Sequence, residues 1–208
     1  VFDDGIKRLA RVLDVEARQF ELIQELADNV ELPVQVTIAS GFPKGDKLEF
    51  ITQKVTELGA SQIWAFPADW SVAKWDGKKL GKKVEKLEKI ALGAAEQSKR
   101  NHVPSITLFE KKADFLAQFD QFDRIVVAYE ESAKEGESAA LIQAVAGLEK
   151  GDKLLFIFGP EGGLSPAEVE SFQAKGAVLA GLGPRILRAE TAPLYALSAI
   201  SVLLELKK

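Results

Sequence analysis

Residues 153–158, KLLFIF, constrain the fold more than any other stretch of this chain. Five apolar side chains in a row leave no polar face, so a strand built from them needs cover on both sides. Central strands of parallel sheets meet that condition, because their crossover connections lay helices over both faces. The rest of the sequence supplies matching parts. VQVTIA (34–39), QIWAF (62–66), SITLF (105–109), RIVVAY (124–129) and AVLAGL (177–182) read as further strands. Leu48, Ile51, Val55 and Leu58 form a helical stripe, opened by Asp46 with Glu49 at capping-box spacing and closed by Gly59. Leu80, Val84, Leu87, Ala91 and Ala94 mark a long helix over 78–98. A weaker helix is expected at 112–119, and others at 138–148, from Pro166, and up to about residue 206 at the end of the chain. This alternation predicts an α/β domain over residues 33–208, with a mostly parallel sheet flanked by helices.

Residues 1–32 differ, with apolar and charged side chains interleaved in short β-like runs. They read as a fragment of a small β domain. The chain contains no methionine and opens on VFDDG, a strand running into a turn, so N-terminal residues are expected to precede it. The absence of cysteine excludes disulfides and thiolate metal sites, and the single histidine, His102, argues against a His-based zinc site. No metal is therefore expected. No apolar run approaches about 18 residues and no secretory signal is visible, so no membrane association and a cytoplasmic location are expected. With 27 Lys+Arg against 31 Asp+Glu, the net charge of -4 does not advertise nucleic-acid binding by itself.

Two glycine-bearing loops hold the chemistry. GPEGG (159–163) lies between the apolar strand 153–158 and a well-marked helix start. Ser165 suits the N-cap, Pro166 the first helical position, and Glu168 completes a capping-box spacing. Gly159, Gly162 and Gly163 permit backbone angles and close approaches that side chains forbid. Such a loop is either a plain turn or a ligand wall, since α/β sheets bind ligands at the carboxyl ends of their strands. It is neither G-x-G-x-x-G nor a P-loop, and Glu161 would repel phosphate. The ligand, if present, lacks a phosphate chain, or Glu161 is structural. The second loop, LGPRILRAETAP (182–193), concentrates Arg185, Arg188 and Glu190 in a short linker, with Thr191 placed to cap the last helix and Pro193 in its first turn. Its plain reading is a surface loop in which Glu190 pairs with an arginine.

GPEGGLSPAEVE followed by LGPRILRAETAPLYALS resembles the signature of the RsmE family, 16S ribosomal RNA uridine N3-methyltransferases of the SPOUT class. GFPKGDKLEFITQKVTELGA (41–60) and AAEQSKRNHVPSI (94–106) resemble two further blocks of that family, in the same order. The resemblance runs from about Pro33 to the C-terminus. It implies a SPOUT α/β fold with a C-terminal trefoil knot, preceded by part of a PUA-like β-barrel over residues 1–32. It also implies S-adenosylmethionine as cofactor, pairing into a homodimer, and 16S rRNA in the small ribosomal subunit as partner. The implied reaction is methylation of N3 of one uridine, position 1498. The implied cofactor residues are Gly159, Pro160, Glu161, Gly162, Gly163, Leu182, Gly183, Ile186, Leu187 and Thr191, with the strand end AYE (128–130) as a third wall. The cofactor carries no phosphate, which removes the objection raised by Glu161.

Methyl transfer to uridine N3 needs a proton taken from an imide. A cation beside the developing anion and a carboxylate to receive the proton would serve, which points to Arg188 and Glu190. Relay of the proton to water is equally open. The family blocks place Gln97, Arg100 and Asn101, with Arg185, near the target nucleotide. Lys99 and His102 depart from the small residue and the arginine common there, and His102 reads as a surface or RNA-proximal group, not a base. Residues 74–100 hold nine Lys/Arg against four acids, either a phosphate-contacting surface or a solvated helix face. Trp64, Trp70 and Trp75 read as core or interface residues. The alternative function is a noncatalytic RNA-binding protein on a SPOUT-like scaffold.

Overall fold

A computed structural model describes residues 6–26, 29–129 and 139–206. The opening VFDDG, Glu130 of the expected third wall and Ser138 of the expected fourth helix lie outside the described residues. Two antiparallel strands, β1 (Lys7–Asp14) and β2 (Gln19–Leu26), form a hairpin. The α/β part then runs β3 (Gln35–Gly41), α1 (Lys47–Glu57), β4 (Gln62–Phe66), α2 (Gly77–Gln97), β5 (Ser105–Leu108), α3 (Lys112–Leu116) and β6 (Arg124–Ala128). It continues through α4 (Ala139–Ala146), β7 (Lys153–Phe158), α5 (Pro166–Gln173), β8 (Val178–Ala180) and α6 (Ala192–Ser201). The final helix extends as a π-helical stretch, Val202–Leu206.

Among the described residues the second sheet has six strands in the order β5-β4-β3-β7-β6-β8, every pair parallel. β7 lies between β3 and β6, so both its edges and both its faces are covered. Its side chains divide with period two, as a pleated strand requires. Leu154, Phe156 and Phe158 enter one core with Ile51 and Val55 of α1, Val145 of α4 and Leu197 of α6. Leu155 and Ile157 enter the other, an aromatic cluster of Trp64, Phe66, Phe109, Phe115, Phe119 and Phe172. There Phe66 stacks on Phe115 at 4.2 Å between ring centroids, and Trp64 meets Phe109 edge-on at 5.2 Å. Burial of each such side chain stabilises the fold by about 1.5–3 kcal/mol.

Three local expectations are corrected. The Asp46 side chain caps nothing, and Glu49 does not close a box. The Asp46 carbonyl instead accepts the Glu49 and Phe50 N–H groups, while the Glu49 carboxylate accepts from Lys86 Nζ of α2 at 2.6 Å. Thr191 occupies the N-cap position of α6, but its helical backbone angles leave the hydroxyl without a cap bond. β8 has only three residues, so the connection to α6 is longer than the sequence pattern suggests.

The segment that leads into β3 is clamped to the α/β part at Glu31. The Arg100 guanidinium, 3% exposed, donates to both Glu31 and the carbonyls of Thr56 and Ala60, the last two at 2.8 Å. Among the described residues no helix is long and apolar enough to cross a membrane.

Candidate functional site

β7, β6 and β8 are neighbours whose carboxyl ends lie side by side, with Val127 opposite Ile157 and Ala128 opposite Ala180. The GPEGG loop leaves β7 and the 181–191 loop leaves β8, so both open onto one edge of the sheet. GPEGG is a closed turn: the Gly163 N–H donates to the Pro160 carbonyl at 2.8 Å, with Gly163 at φ +80°. A Cβ on Gly159 would stand 2.7 Å from the Gly163 carbonyl carbon, so glycine is required there for close approach. Across the loop stands Trp70, half exposed, whose Cβ lies 3.1 Å from where a Gly162 Cβ would be. Of the other tryptophans, Trp64 is buried in the core and Trp75 packs against Phe42 with tilted rings, 4.3 Å between centroids.

The far end of the loop is fastened by a complete capping box. Ser165 Oγ accepts from the Glu168 N–H at 3.2 Å, and Glu168 Oε2 accepts from the Ser165 N–H at 2.9 Å. Glu168 is buried and cannot remain a lone charge there. Its Oε1 accepts the Asp69 N–H at 2.9 Å and pairs with Lys112 Nζ at 2.7 Å. Lys112 also bonds Asp69, which accepts from Ser165 Oγ at 2.5 Å. Bonds from Lys112 and Ser165 hold the Asp69 carboxyl below its ordinary range. Burial pulls Lys112 down, but its bonds to Asp69 and Glu168 outweigh that and raise it.

The near end is fastened by Lys47, the first residue of α1. Its ammonium lies 2.9 Å from Glu161 Oε1 and 3.0 Å from Glu190 Oε2, and so ties the two loops together. Glu161 Oε1 also accepts the Lys44 N–H at 3.1 Å. Partial burial raises the Glu161 and Glu190 carboxyls, but the contacts with Lys47 and backbone N–H groups win, and both are lowered. Lys47 is raised by its bonds to the two carboxylates. Glu190 Oε2 is buried, and the ammonium of Lys47 is its ionic partner. Arg188 Nη1 stands 4.0 Å from Glu190 Oε1, and the arginine side chain is 84% exposed.

The structure thus gathers Gly159–Gly163, Glu190 and Arg188 at one sheet edge, with Leu182, Gly183, Arg185, Ile186, Leu187 and Thr191 on the same second loop. Leu182 packs on the core, Gly183 adopts φ +88°, and Ile186 is 78% exposed. Among the described residues the backbone N–H groups of Leu182, Gly183, Ile186 and Leu187 have no partner in the chain.

Gln97, Arg100 and Asn101 are not part of this gathering. Gln97 ends α2, and Arg100 and Asn101 lie between it and β5, which places them at the amino edge of the sheet, opposite both loops. The reading of Arg100 as an RNA contact is corrected, because its guanidinium is spent inside on Glu31, Thr56 and Ala60. Gln97 is exposed and lines a groove of about 610 Å³ between α1 and α2, with Lys54, Glu57 and Lys89. That groove lies away from the strand ends, so loop geometry and not concavity marks the site. His102 donates its N–H to Glu31 at 3.2 Å and brings Nε2 to 2.9 Å from the Ser61 carbonyl, again at the amino edge.

Sequence reasoning missed Lys47, Asp69 and Lys112. Their partners lie at least 43 residues away in the chain, and no local spacing announces them. Among the described residues no three or more His, Asp or Glu side chains are grouped to hold a metal ion.

Comparison with known proteins agrees with this geometry. Residues 30–201 match the RNA methyltransferase domain family. Over 185 residues the chain is 55% identical to ribosomal RNA small subunit methyltransferase E of Bacillus subtilis, covering 89% of this chain and 72% of that one. A Legionella pneumophila protein solved with the bound cofactor SAM superposes with a TM-score of 0.76 at 27% identity, covering 96% of this chain and 79% of that one. Ribosomal RNA small subunit methyltransferase E of Neisseria gonorrhoeae, bound to S-adenosyl methionine, gives a TM-score of 0.73 at 26% identity, covering 96% and 80%. The chain belongs to the RNA methyltransferase family that includes ribosomal RNA small subunit methyltransferase E, and its parallel α/β sheet is of the SPOUT class.

Proposed function

We propose that this chain is the S-adenosylmethionine-dependent methyltransferase that modifies N3 of a uridine in 16S rRNA, at position 1498, acting in the cytoplasm as a homodimer. The observation that supports it most is the meeting of the two loops at one sheet edge through Lys47. The residues there fit the cofactor. Gly159, Pro160, Glu161, Gly162 and Gly163 form one wall, and Leu182, Gly183, Ile186, Leu187 and Thr191 the other. Unpaired N–H groups on the second loop suit the ring nitrogens of an adenine, and Leu182 and Ile186 suit its faces. Bound there, the cofactor supplies an electrophilic methyl group on a sulfonium.

The chain's own residues prepare the acceptor. Arg188, exposed beside Glu190, reaches a uridine oxygen and stabilises the charge that develops as N3 loses its proton. Glu190 is ionised at neutral pH and available to take that proton. Its lowered pKa means it does not keep the proton, and water receives it next. Arg185 is exposed on the same loop, and Lys74, Lys78, Lys79 and Lys82, exposed around the start of α2, lie beyond the same edge of the sheet. Both suit contacts to phosphate. Exposed Ile186, Tyr195, Val202 and Leu206 give an apolar surface for pairing of two chains. The reading includes a knotted C-terminal segment and a PUA-like barrel to which residues 1–32 contribute.

The test is mass-spectrometric mapping of 16S rRNA from a deletion strain, with the purified chain then supplied to its small subunits. Loss of one uridine N3 methyl group, restored by the chain and S-adenosylmethionine, is expected. Unmodified mapping together with RNA binding would favour the noncatalytic scaffold instead.

A further inference from the structure

Lys47 lies outside both glycine loops, yet it is the cation on which both converge. Its place is set locally. Gly45, at φ +63°, turns the chain after Pro43, and α1 begins with Lys47 pointing its stem along the carboxyl edge. The preceding Lys44 N–H already holds Glu161 Oε1, so the first loop is docked on this turn by two bonds. Among the described residues the second loop meets this turn through Glu190. Arg188 then stands against the other oxygen of that carboxylate at 4.0 Å. A continuous path runs from α1 through Lys47 to Glu190 and on to the exposed guanidinium.

Without the ammonium, Glu161 and Glu190 would be two carboxylates around an empty position. Both now lie within 3.0 Å of the same nitrogen. Like charges at that spacing repel, and each group is partly shielded from water, which weakens screening. Arg188 is the remaining cation at the pair, and it is extended into solvent. Among the described residues no other ion pair or hydrogen bond holds the second loop, with its unpaired backbone donors and exposed Ile186, against the first.

We propose that Lys47 is a positioning residue that latches the GPEGG loop to the 181–191 loop, and thereby sets both the cofactor cleft and the orientation of Arg188 through Glu190. Its consequence for catalysis rests on the methyl-transfer reading given above. Lys47 touches no reacting atom. Its effect passes through the two carboxylates.

The experiment is hydrogen exchange on the ligand-free chain, comparing wild type with Lys47→Met, Lys47→Arg and the double variant Lys47→Met/Glu161→Gln. Exchange at the bonded amides of both loops, Gly163 in the first and Thr191 and Ala192 at the end of the second, should quicken on the order of tenfold in Lys47→Met, as expected for loss of a partly buried charge pair. Lys47→Arg should restore protection. The double variant should recover part of it, because one of the repelling charges is gone; loss of packing alone predicts no recovery. Unchanged exchange, or quickening in one loop only, overturns the latch. If Lys47→Met does not fold, Lys47→Gln takes its place in the same comparison. The same proteins are then titrated calorimetrically with S-adenosylhomocysteine. Binding by wild type and on the order of tenfold weaker binding by Lys47→Met is expected, and equal affinities overturn the functional role of the latch. A wild type that binds none, with both loops still loosened in Lys47→Met, defeats the methyl-transfer reading and leaves the latch standing.

Discussion

Replacing Gly159 with alanine tests how tightly the proposed cofactor wall is built. The added Cβ would lie 2.7 Å from Gly163 C, 2.9 Å from Gly163 Cα and 3.0 Å from Leu164 N. All three are backbone atoms, so no side chain can swing aside. The turn cannot simply open, because the Gly163 N–H is bonded to Pro160 and the next residues are fixed by the buried Leu164 and the Ser165 capping box. Overpacking typically costs about 1–3 kcal/mol, and the upper end applies where only backbone can yield. For a chain of this size each kcal/mol moves the melting temperature by about 2–4 °C, which gives a fall of roughly 6–12 °C. Gly81→Ala is the matched control. It lies in α2 with nothing within 4 Å of its Cβ position and should stabilise by about 0.5–1 kcal/mol through backbone entropy. Thermal unfolding by circular dichroism reads both, and titration with S-adenosylhomocysteine reads the wall itself. Gly159→Ala melting within about 2 °C of wild type, with ligand affinity intact, would refute the close-packed turn.

Arg188→Ala should leave stability within about 0.5 kcal/mol, because the side chain is exposed, while methyl transfer falls on the order of 10²–10³-fold. Near-normal turnover would remove Arg188 from the mechanism. Arg100→Ala should destabilise by about 3–5 kcal/mol, since it removes the cation paired with Glu31 and the buried donor to the Thr56 and Ala60 carbonyls. RNA affinity of the folded fraction should not change; lost affinity at unchanged denaturant midpoint would restore Arg100 as an RNA contact. Glu161→Gln should lower stability most near neutral pH. A carboxyl with a lowered folded pKa stabilises above its ordinary value of 4.5, and loses that contribution as pH falls through the lowered value. Melting curves of variant and wild type should therefore converge in acid, and a gap that widens below about pH 4 would contradict the ion pair.

Short-range signals in the sequence were read correctly where one local term dominates. The strand 153–158 matches residue for residue, because full burial on both faces leaves no other use for LLFIF. The Ser165–Glu168 box forms because Pro166 fixes the first turn and Glu168 turns Oε2 to the Ser165 N–H while Oε1 meets Lys112 and the Asp69 N–H. The same spacing at Asp46 and Glu49 fails. Glu49 faces α2, where Lys86 is a stronger partner than a backbone N–H. Arg100 shows the same limit at longer range. Its role depends on Glu31, 69 positions earlier, and on the carbonyls of Thr56, in the last turn of α1, and Ala60, just before β4. Both loops of the candidate site were visible as glycine-punctuated strand ends. Their mutual contact was not, because it runs through a lysine whose neighbours in sequence give no hint of it.

The two charged clusters explain how so glycine-rich a loop could serve as the proposed binding wall. Glycines widen the conformational choice of the unbound chain, so ordering GPEGG on binding would consume affinity. The fold removes that freedom in advance. At one end Glu168, Asp69 and Lys112 fix the helix start behind the loop. At the other Lys47 and the Lys44 N–H hold Glu161. Between these anchors the turn is closed by its own Gly163–Pro160 bond and backed by Trp70. Glu161 therefore serves as an anchor, its charge answered on the protein side and not offered to a ligand. The second loop is built on the opposite plan: one ionic anchor at Glu190, an exposed Ile186 and Arg188, and backbone donors without partners. A rigid wall facing an incompletely satisfied one is the arrangement expected when the ligand itself completes the hydrogen bonding.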